Sequence, residues 1–224
     1  MIRLFFRLPW FVYLALGFLA IGTGFYSYTS AINYNSARAI ALEGDMPALV
    51  DAGEVTESSF SAADEINIGA QISDKIFTVS VSGRRTIDKD KTAIFAFPQD
   101  SSSTSDQVNV VFMLDPNENV EDFIGKFASG ENGAHSSILH VNGSNYDAGR
   151  KLGGVVREAA DQAGITLGSS VQFVEPFMTT RQAGLKERSP QQNFMIFAGI
   201  GVLLGGLGVF KLLRKPKQKK IIPG

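Results

Sequence analysis

The chain has 224 residues, a net charge of −1 and no cysteine. Its overall hydrophobicity is ordinary, with a mean hydropathy of +0.06. A chain of this length has room for one domain and some additional segments. Because cysteine is absent, disulfides, thiolate metal sites, covalent c-type haem attachment and cysteine nucleophiles are all excluded.

The charges are unevenly distributed along the chain. All 22 acidic residues lie between Glu43 and Glu187. Of the 21 basic residues, two come before Arg38 and six follow Arg188, which leaves 13 from Arg38 to Arg188 and gives this middle region a net charge of −9. The asymmetry predicts that the middle and the ends lie in different environments. A domain with this charge repels phosphate, so we expect no binding to nucleic acid.

The first apolar segment lies close to the N-terminus. Residues 8 to 37 carry no formal charge, and their apolar part extends to Tyr26. A helix needs about 20 apolar residues to cross a bilayer. We therefore predict a cytoplasmic N-terminus at residues 1–7 and a transmembrane helix at residues 8–28. The alternative is a cleaved signal peptide. Signal peptides have a shorter apolar run of roughly 7–15 residues followed by a cleavage site of small residues, and this sequence has no clear site of that kind.

The second apolar segment is uncharged from Ser189 to Phe210 and predicts a transmembrane helix at residues 193–213. The alternative is a buried helix of a soluble core, but each interior glycine would cost such a helix up to about 1 kcal/mol relative to alanine. In lipid, small residues let another helix approach closely, and Gly201-x-x-x-Gly205 and Ala20-x-x-x-Gly24 have the four-residue spacing of such contacts. We predict that both spans pack against helices through Ala20, Gly24, Ala198, Gly201, Gly205 and Gly208.

Basic residues flank both apolar segments and predict the orientation of the chain. Cations next to a span stay on the cytoplasmic side and can contact anionic lipid headgroups. We expect both termini, including a basic tail at residues 214–224, to be cytoplasmic, and the middle to be exported across the inner membrane, which is periplasmic in a Gram-negative cell. The residues that predict this topology are Arg3, Arg7, Lys211, Arg214, Lys215, Lys217, Lys219 and Lys220.

Between the spans, linkers at residues 29–45 and 178–192 enclose a predicted exported α+β domain at residues 46–177. Its first part alternates polar and apolar residues with period two, which is typical of half-buried strands. The predicted strands are residues 48–55, 65–72, 75–83, 91–97 and 107–114, with turns at residues 82–85 and 99–106. We expect these strands to be antiparallel, in an arrangement that can close into a small barrel.

In the second part of the domain the apolar period changes to that of a helix. Val120, Phe123, Ile124 and Phe127 recur at i, i+3, i+4 and i+7, which predicts one helical face. A strand follows at residues 137–141 and ends at a predicted Asn142-Gly143 turn. A second helix ends at Gly164, and its predicted apolar face consists of Leu152, Val155, Val156, Ala159, Ala160 and Ala163. A last strand covers residues 171–174. Strands followed by helix–strand–helix–strand predict an α+β fold held between the two transmembrane helices.

Two patterns resemble metal sites but lack the remaining ligands. His135 and His140 are the only histidines, and their spacing places them on opposite faces of a strand, so we expect no metal between them. Residues 115–119 read D-x-N-x-N like a calcium loop, but Val120 and Lys126 occupy the positions of the required glycine and glutamate. We interpret this segment as a turn that caps the following helix.

The sequence contains no nucleophile elbow, phosphate-binding loop or dinucleotide fingerprint, so we expect no catalytic residue, cofactor or metal. We expect a non-catalytic two-span membrane protein that acts as an accessory, structural or assembly subunit of a larger membrane complex. Its partners would be integral membrane proteins and lipid, with a basic soluble protein as a further candidate at the acidic domain. The alternative is a membrane-anchored periplasmic module that binds or senses a ligand or peptide.

Overall fold

The structure of the protein, a computed structural model, describes residues 8–83, 86–103 and 107–214. They form a helical unit, which contains the described residues up to Ser36 and from Glu187 onward, and a domain, Ala37–Lys186. The elements are, in chain order, α1 (Trp10–Glu43), β1 (Leu49–Asp51), β2 (Glu65–Gly83), β3 (Thr86–Phe97), β4 (Val108–Leu114), α2 (Val120–Phe127), β5 (Ala128–Asn132), β6 (Ser137–Asn145), α3 (Gly149–Ala163), β7 (Leu167–Pro176), α4 (Arg181–Gly184) and α5 (Pro190–Leu213).

Two long apolar helices, α1 and α5, make up the helical unit. Helix α5 begins at Pro190, whose fixed backbone angle suits the first helical position, and its last turn carries Lys211, a cation at the negative end of the helix dipole. In α1 the Thr23 and Thr29 hydroxyls donate to carbonyl oxygens of the preceding turn, at 2.9 Å from the Leu19 oxygen in the first case. These bonds satisfy the hydroxyl groups without water.

The two segments predicted as linkers contain helical residues. Helix α1 continues through residues 29 to 43 of the first one, and its last turns, from Ala37 onward, belong to the domain. The short helix α4 lies in the second predicted linker, and the Thr180 hydroxyl caps this helix by accepting a hydrogen bond from the Ala183 backbone N–H. The chain is therefore more regular next to the two apolar segments than their composition suggests.

Seven strands form one sheet in the order β1-β2-β3-β4-β7-β6-β5, and β2 also pairs with β6. Residues 65–70 of β2 lie antiparallel to residues 139–144 of β6, whereas residues 71–83 of β2 pair with β3. The pairings β2–β3, β3–β4, β4–β7, β7–β6 and β6–β2 form a closed circuit of five strands. The α+β prediction is confirmed. The barrel-like closure, expected among the early strands, instead requires the late strands β6 and β7, and β4–β7 is a parallel pair.

Both faces of the central strands are buried, and β3 shows this residue by residue. Ile94 and Ala96 belong to one apolar cluster, whereas Ala93, Phe95 and Phe97 belong to another on the opposite face. This follows from the period of two, which directs successive side chains to opposite sides of a strand.

Each apolar cluster is covered by one amphipathic helix. Helix α2 covers the first cluster through Phe123, whose ring centroid lies 5.5 Å from that of Phe112 and 5.3 Å from that of Phe127. Helix α3 covers the second through Leu152 and Val156. The predicted apolar faces of both helices are confirmed, as is the helix end at Gly164, which adopts a left-handed φ of 70°.

Four features of the sheet differ from the sequence prediction. Strand β1 is parallel to β2, although the early strands were expected to be antiparallel. The strands predicted at 65–72 and 75–83 are one strand, β2, with an irregularity between Ile72 and Ile76. The Asn142-Gly143 pair is not a turn, because Asn142 pairs with Asn67 inside β6 and its side-chain amide is satisfied by the buried carboxylate of Glu65. Strand β5 was not predicted, since its sequence ASGEN has little strand propensity.

Candidate functional site

The contact between α1 and α5 in the helical unit is built from small residues. The buried residues of α1 are Tyr13, Gly17, Gly24 and Ala31, and the last three recur every seven residues. A Cβ atom added to Gly17 would lie 2.9 Å from the Gly201 carbonyl oxygen, closer than such atoms approach in proteins. The two backbones are therefore in direct contact, and a recurrence of seven is the spacing that keeps one helical face against a partner.

The structure brings together part of the residues predicted for helix packing. Gly24, Gly201 and Gly208 are buried, and an added Cβ on Gly24 would lie 2.9 Å from the Phe197 Cβ. Gly205 differs, because its backbone lies close to Gly17 but its own Cβ direction is open. Ala20 and Ala198 are half-buried. Packing of these residues inside a membrane stays a prediction.

Sequence reasoning missed Gly17, although a signal for it was present. The prediction used the four-residue spacing Gly201-x-x-x-Gly205, whereas the buried glycines of α5 are Gly201 and Gly208, seven residues apart. On α1 the same interval separates Gly17 from Gly24. A search for small residues at intervals of seven would have found Gly17, Gly24 and Ala31 on α1.

Polar contacts join the ends of the two helices within the helical unit. The Lys211 ammonium donates to the Leu8 carbonyl oxygen at 2.9 Å and lies 4.7 Å from the centre of the Tyr13 ring. At the other end, Asn35 and Arg188 form two hydrogen bonds, one from the Asn35 amide to the Arg188 carbonyl (2.8 Å) and one in return from the Arg188 backbone N–H (2.9 Å). These contacts hold the register of the pair at both ends.

Among the residues predicted to set topology, Lys211 and Arg214 are described. The Arg214 guanidinium lies 4.5 Å from the centre of the Phe210 ring. The remaining predicted cations lie outside the described residues, namely Arg3, Arg7, Lys215, Lys217, Lys219 and Lys220. Their contribution to topology stays a prediction.

The outer faces of α1 and α5 are apolar and exposed. Phe18 is 74% exposed and Leu203 is 71% exposed. Both helices are long and apolar enough to cross a bilayer, and only a small share of their most apolar windows is buried within the protein. A core helix of a soluble protein is mostly buried, so these two candidate membrane-spanning helices indicate a membrane protein.

In the domain, a buried carboxylate ties distant parts of the chain together. Glu65 is fully buried and accepts two hydrogen bonds from the Arg181 guanidinium, at 2.7 and 2.9 Å, and one from the Asn142 amide at 3.0 Å. The hydrogen bond to Glu65 is the main reason that the pKa of Arg181 is raised. Arg181 also donates to the carbonyl oxygens of Gly44 and Asp45, just after α1. We interpret this cluster as structural, because every group in it is paired.

A second buried charge lies on β3. The Lys91 ammonium is 2.6 Å from an Asp115 carboxylate oxygen, 3.6 Å from one of Glu175, and 4.8 Å from the centre of the Tyr146 ring. Burial is the largest single effect and lowers the pKa of Lys91, but the hydrogen bond to Asp115 and the charge of Glu175 outweigh it, so the pKa is raised. Lys91 therefore stays charged inside the fold.

The two histidines lie in different environments. His140 is exposed on β6, whereas His135 precedes that strand, so the prediction that both lie on one strand is wrong. The His135 ring packs on the Phe97 ring with centroids 5.0 Å apart, and its Nε2 lies 3.2 Å from the Ser101 hydroxyl. Across the described ranges, no group of three or more histidine or carboxylate side chains could hold a metal ion.

His135, which contacts Ser101, borders a cavity of about 400 Å³ that is also lined by Asp74 and Lys75. The Ser101 side chain is buried, and its hydroxyl also lies 3.3 Å from the Ser103 carbonyl oxygen. The backbone around it is fixed by the Gln71 amide, which donates to the Ser101 carbonyl at 2.9 Å. A serine next to a histidine is one part of a nucleophilic site, but here both groups are engaged in holding loops to the sheet.

The segment that resembles a calcium loop is a helix cap, as predicted. The Asn119 side chain accepts a hydrogen bond from the Glu121 amide at 2.9 Å at the start of α2. The Glu118 carboxylate accepts one from the Asp115 amide at 2.7 Å. Both oxygens thereby satisfy backbone N–H groups that precede or begin the helix.

A groove of the domain lies between α3 and β7, and we call it the α3–β7 groove. Its volume is about 640 Å³. Its apolar lining includes Tyr146, Leu167, Val171 and Phe173, and the face of α3 that borders it carries Arg150, Gly153, Gly154 and Arg157. No part of this groove was predicted from the sequence, because its walls come together only when α3 packs beside β7 in the folded domain.

No family model matches this chain, and no curated protein is significantly similar to it. Its function is therefore inferred from its own residues.

Proposed function

We propose that the protein is a non-catalytic accessory or assembly subunit of a larger membrane complex. In this proposal α1 and α5 cross the inner membrane, both termini are cytoplasmic, and the domain lies on the periplasmic face. The observation that supports it is that α1 and α5 use one face of each helix for each other and leave large apolar side chains exposed on the others.

A second set of glycines on the outer faces strengthens this proposal. Gly22 on α1 and Gly199 and Gly206 on α5 are exposed, and a Cβ atom added to any of them would meet no described atom within 4 Å. Gly199 and Gly206 are seven residues apart and so lie along one side of α5. Since the contact with α1 does not need them, we propose that they accommodate a helix of another membrane protein.

The orientation in the proposal follows from charge. Lys211 and Arg214 end α5, acidic residues occur only between Glu43 and Glu187, and basic flanks stay in the cytoplasm. On the other side of the membrane, a domain region with a net charge of −9 would attract a basic soluble protein and raise its rate of encounter at low salt.

The proposal is tested by purifying the tagged native protein in a mild detergent and identifying what remains bound at stoichiometric amounts by mass spectrometry. We expect integral membrane proteins at about one copy each, consistent with a stable subunit interface. Replacement of both Gly199 and Gly206 by leucine should remove these partners. The matched control replaces Val202 and Val209 by leucine, because these residues have the same spacing and are exposed without being small. Recovery of the native protein alone would overturn the proposal.

Topology can be tested separately because the chain has no cysteine of its own. Single cysteines are introduced as Ser170→Cys in the domain and Lys217→Cys in the tail, and cells with a permeabilised outer membrane are treated with a membrane-impermeant maleimide. We expect labelling of S170C in these cells, whose inner membrane is intact, and of K217C only after lysis. The reverse pattern would contradict the proposed orientation without bearing on the complex.

A second candidate function is favoured by the α3–β7 groove. A concave, largely apolar surface with a few polar groups is the usual form of a binding site. We therefore also propose that the domain is a membrane-anchored binding module, a function that the protein could carry out inside or outside a complex.

A further inference from the structure

One wall of the α3–β7 groove is the part of β7 that β6 does not reach. Strand β7 pairs with β6 only from Val174, and Leu167, Val171, Gln172 and Phe173 of its earlier part line the groove. Among the described residues, the β6-facing edge of β7 therefore has no strand partner at residues 167–173, where the Phe173 carbonyl oxygen accepts a hydrogen bond from the Tyr146 backbone N–H at 2.8 Å. Unpaired backbone groups of a strand are a template for a further strand, and native proteins usually cover or charge such an edge.

The other wall of the groove is α3, and two glycines in the middle of this helix leave that wall without side chains there. Gly153 and Gly154 lie between Arg150 and Arg157, so all four share one side of the helix. Each glycine costs the helix about 1 kcal/mol relative to alanine. Packing within the described chain requires neither, since an added Cβ on Gly154 meets nothing within 4 Å and one on Gly153 meets the Phe173 ring at an ordinary 3.9 Å. The absent side chains leave room beside β7 for another chain.

The charge of the groove differs from that of the domain as a whole. Its charged lining residues are Asp147, Arg150 and Arg157, and the Asp147 carboxylate already accepts a hydrogen bond from the Gly149 amide at 2.9 Å. The described residues form no ion pair with either arginine. Seven residues of helix separate the arginines by about 10 Å. Alternate side chains of an extended chain are about 7 Å apart, a spacing that two long arginine side chains can reach.

We propose that the α3–β7 groove binds an extended, acidic segment of a partner protein by addition of a strand to the β6-facing edge of β7 at residues 167–173. Backbone hydrogen bonds to β7 would supply affinity, as in other strand-addition sites. Apolar side chains of the segment would face Val171 and Phe173, and acidic ones would pair with Arg150 and Arg157. The inference rests on the second candidate function and not on membership of a membrane complex.

The test uses the full-length protein in detergent micelles and three fluorescent peptides of about seven residues, so that the probe is defined without knowledge of the natural partner. The first alternates valine and glutamate, the second alternates valine and lysine, and the third repeats the first with N-methylated amides that cannot donate hydrogen bonds. We expect saturable binding of the first with a Kd below about 1 mM, at least tenfold weaker binding of the second, and a similar loss for the third.

Variants locate the binding. Arg157→Glu should weaken binding of the glutamate peptide about tenfold or more, because one partner of a close charge pair is reversed. Lys151→Glu is the matched control, since Lys151 is an exposed cation on the same helix that does not line the groove. Gly154→Leu should abolish binding by filling the groove, and an unchanged melting temperature would show that the fold is intact.

Four results would overturn the inference. These are no saturable binding of the glutamate peptide, equal binding of the lysine or the N-methylated peptide, equal effects of R157E and K151E, and full binding to G154L. Vesicles of phosphatidylglycerol are tested in parallel, because a surface with two arginines could also bind an anionic headgroup. Vesicle binding that R157E removes, without peptide binding, would replace the peptide by a lipid. None of these results depends on whether the detergent purification recovers a complex.

Discussion

The internal contacts that stabilise the helical unit are opposite in kind to those that stabilise the domain. In the helical unit the closest contacts occur where side chains are missing, as between Gly17 and Gly201. In the domain they occur where large side chains fill a core, as between Phe112 and Phe123. Added volume should therefore damage the first, and removed volume should damage the second.

The largest expected effect is on the domain. Phe112→Ala leaves a cavity in a fully buried cluster and should lower the free energy of unfolding by about 3–5 kcal/mol. Hydrogen exchange of the β3 and β4 amides measures this, while the fluorescence of Trp10, the only tryptophan, reports on the helical unit. If Phe112→Ala changes Trp10 fluorescence strongly but leaves the hydrogen exchange of the β3 and β4 amides unchanged, the claim that removed volume damages the domain is wrong.

The next effect is on the helical unit and has the opposite origin. Gly201→Leu forces side-chain atoms against the Gly17 carbonyl oxygen and should destabilise the helix pair by about 1–3 kcal/mol. Trp10 fluorescence during denaturation measures it. The matched control is Gly205→Leu, whose added Cβ points into open space. If G205L is as disruptive as G201L, the seven-residue spacing is not what defines the contact.

A third substitution tests glycines that make no close contact. Gly154→Ala should stabilise the domain by up to about 1 kcal/mol, because alanine favours the helix and nothing within 4 Å opposes its Cβ. Thermal unfolding followed by circular dichroism measures the gain. Gly143→Ala is the contrasting control, since its Cβ would lie 2.6 Å from the Glu175 carbonyl oxygen and should destabilise. A loss of stability in G154A would show that its position is not open.

The smallest expected effect concerns Lys91, where burial lowers the pKa and the attraction to carboxylates raises it by more. Because the pKa of Lys91 is raised in the folded state, its contribution to stability is complete below the ordinary lysine pKa of about 10.4 and is lost as pH rises through the folded value. The difference in melting temperature between the native protein and Lys91→Met should therefore stay constant around neutral pH and change as pH rises into the strongly alkaline range. Lys151→Met, at an exposed position, provides the comparison. A change centred near neutral pH would contradict this assignment.

Local patterns predicted much of this fold. Alternation identified the strands that became β2, β3 and β4, and the 3.6-residue period identified α2 and α3, because in both cases the residues of one face lie close together in sequence. The pairing of β6 with β2 was not predictable in this way, since Glu65 and Ser144 meet only through the topology of the whole sheet.

The candidate sites were harder to predict for the same reason. The hydrogen bond between Glu65 and Arg181 joins two positions that no sequence motif connects. In addition, two adjacent acidic residues such as Asp64 and Glu65 are typical of an exposed surface, so the sequence does not indicate that Glu65 is buried. The α3–β7 groove is lined by residues of α3, of β7 and of the segment between β6 and α3, which no local pattern connects. Gly153 and Gly154 were visible as glycines in a helical pattern, which is the one local sign that this side of α3 is unusual.

The circuit of strands has a consequence for the order in which the chain can fold during synthesis. The β6-facing edge of residues 65–70 has no partner until residues 139–144 emerge, about 70 residues later. A sheet that depends on such distant pairing forms slowly, and its early strands stay exposed to other chains in the meantime. The domain should therefore remain an unfolded substrate for chaperones until its last third has been made, and truncation before β6 should yield aggregation rather than a smaller folded protein.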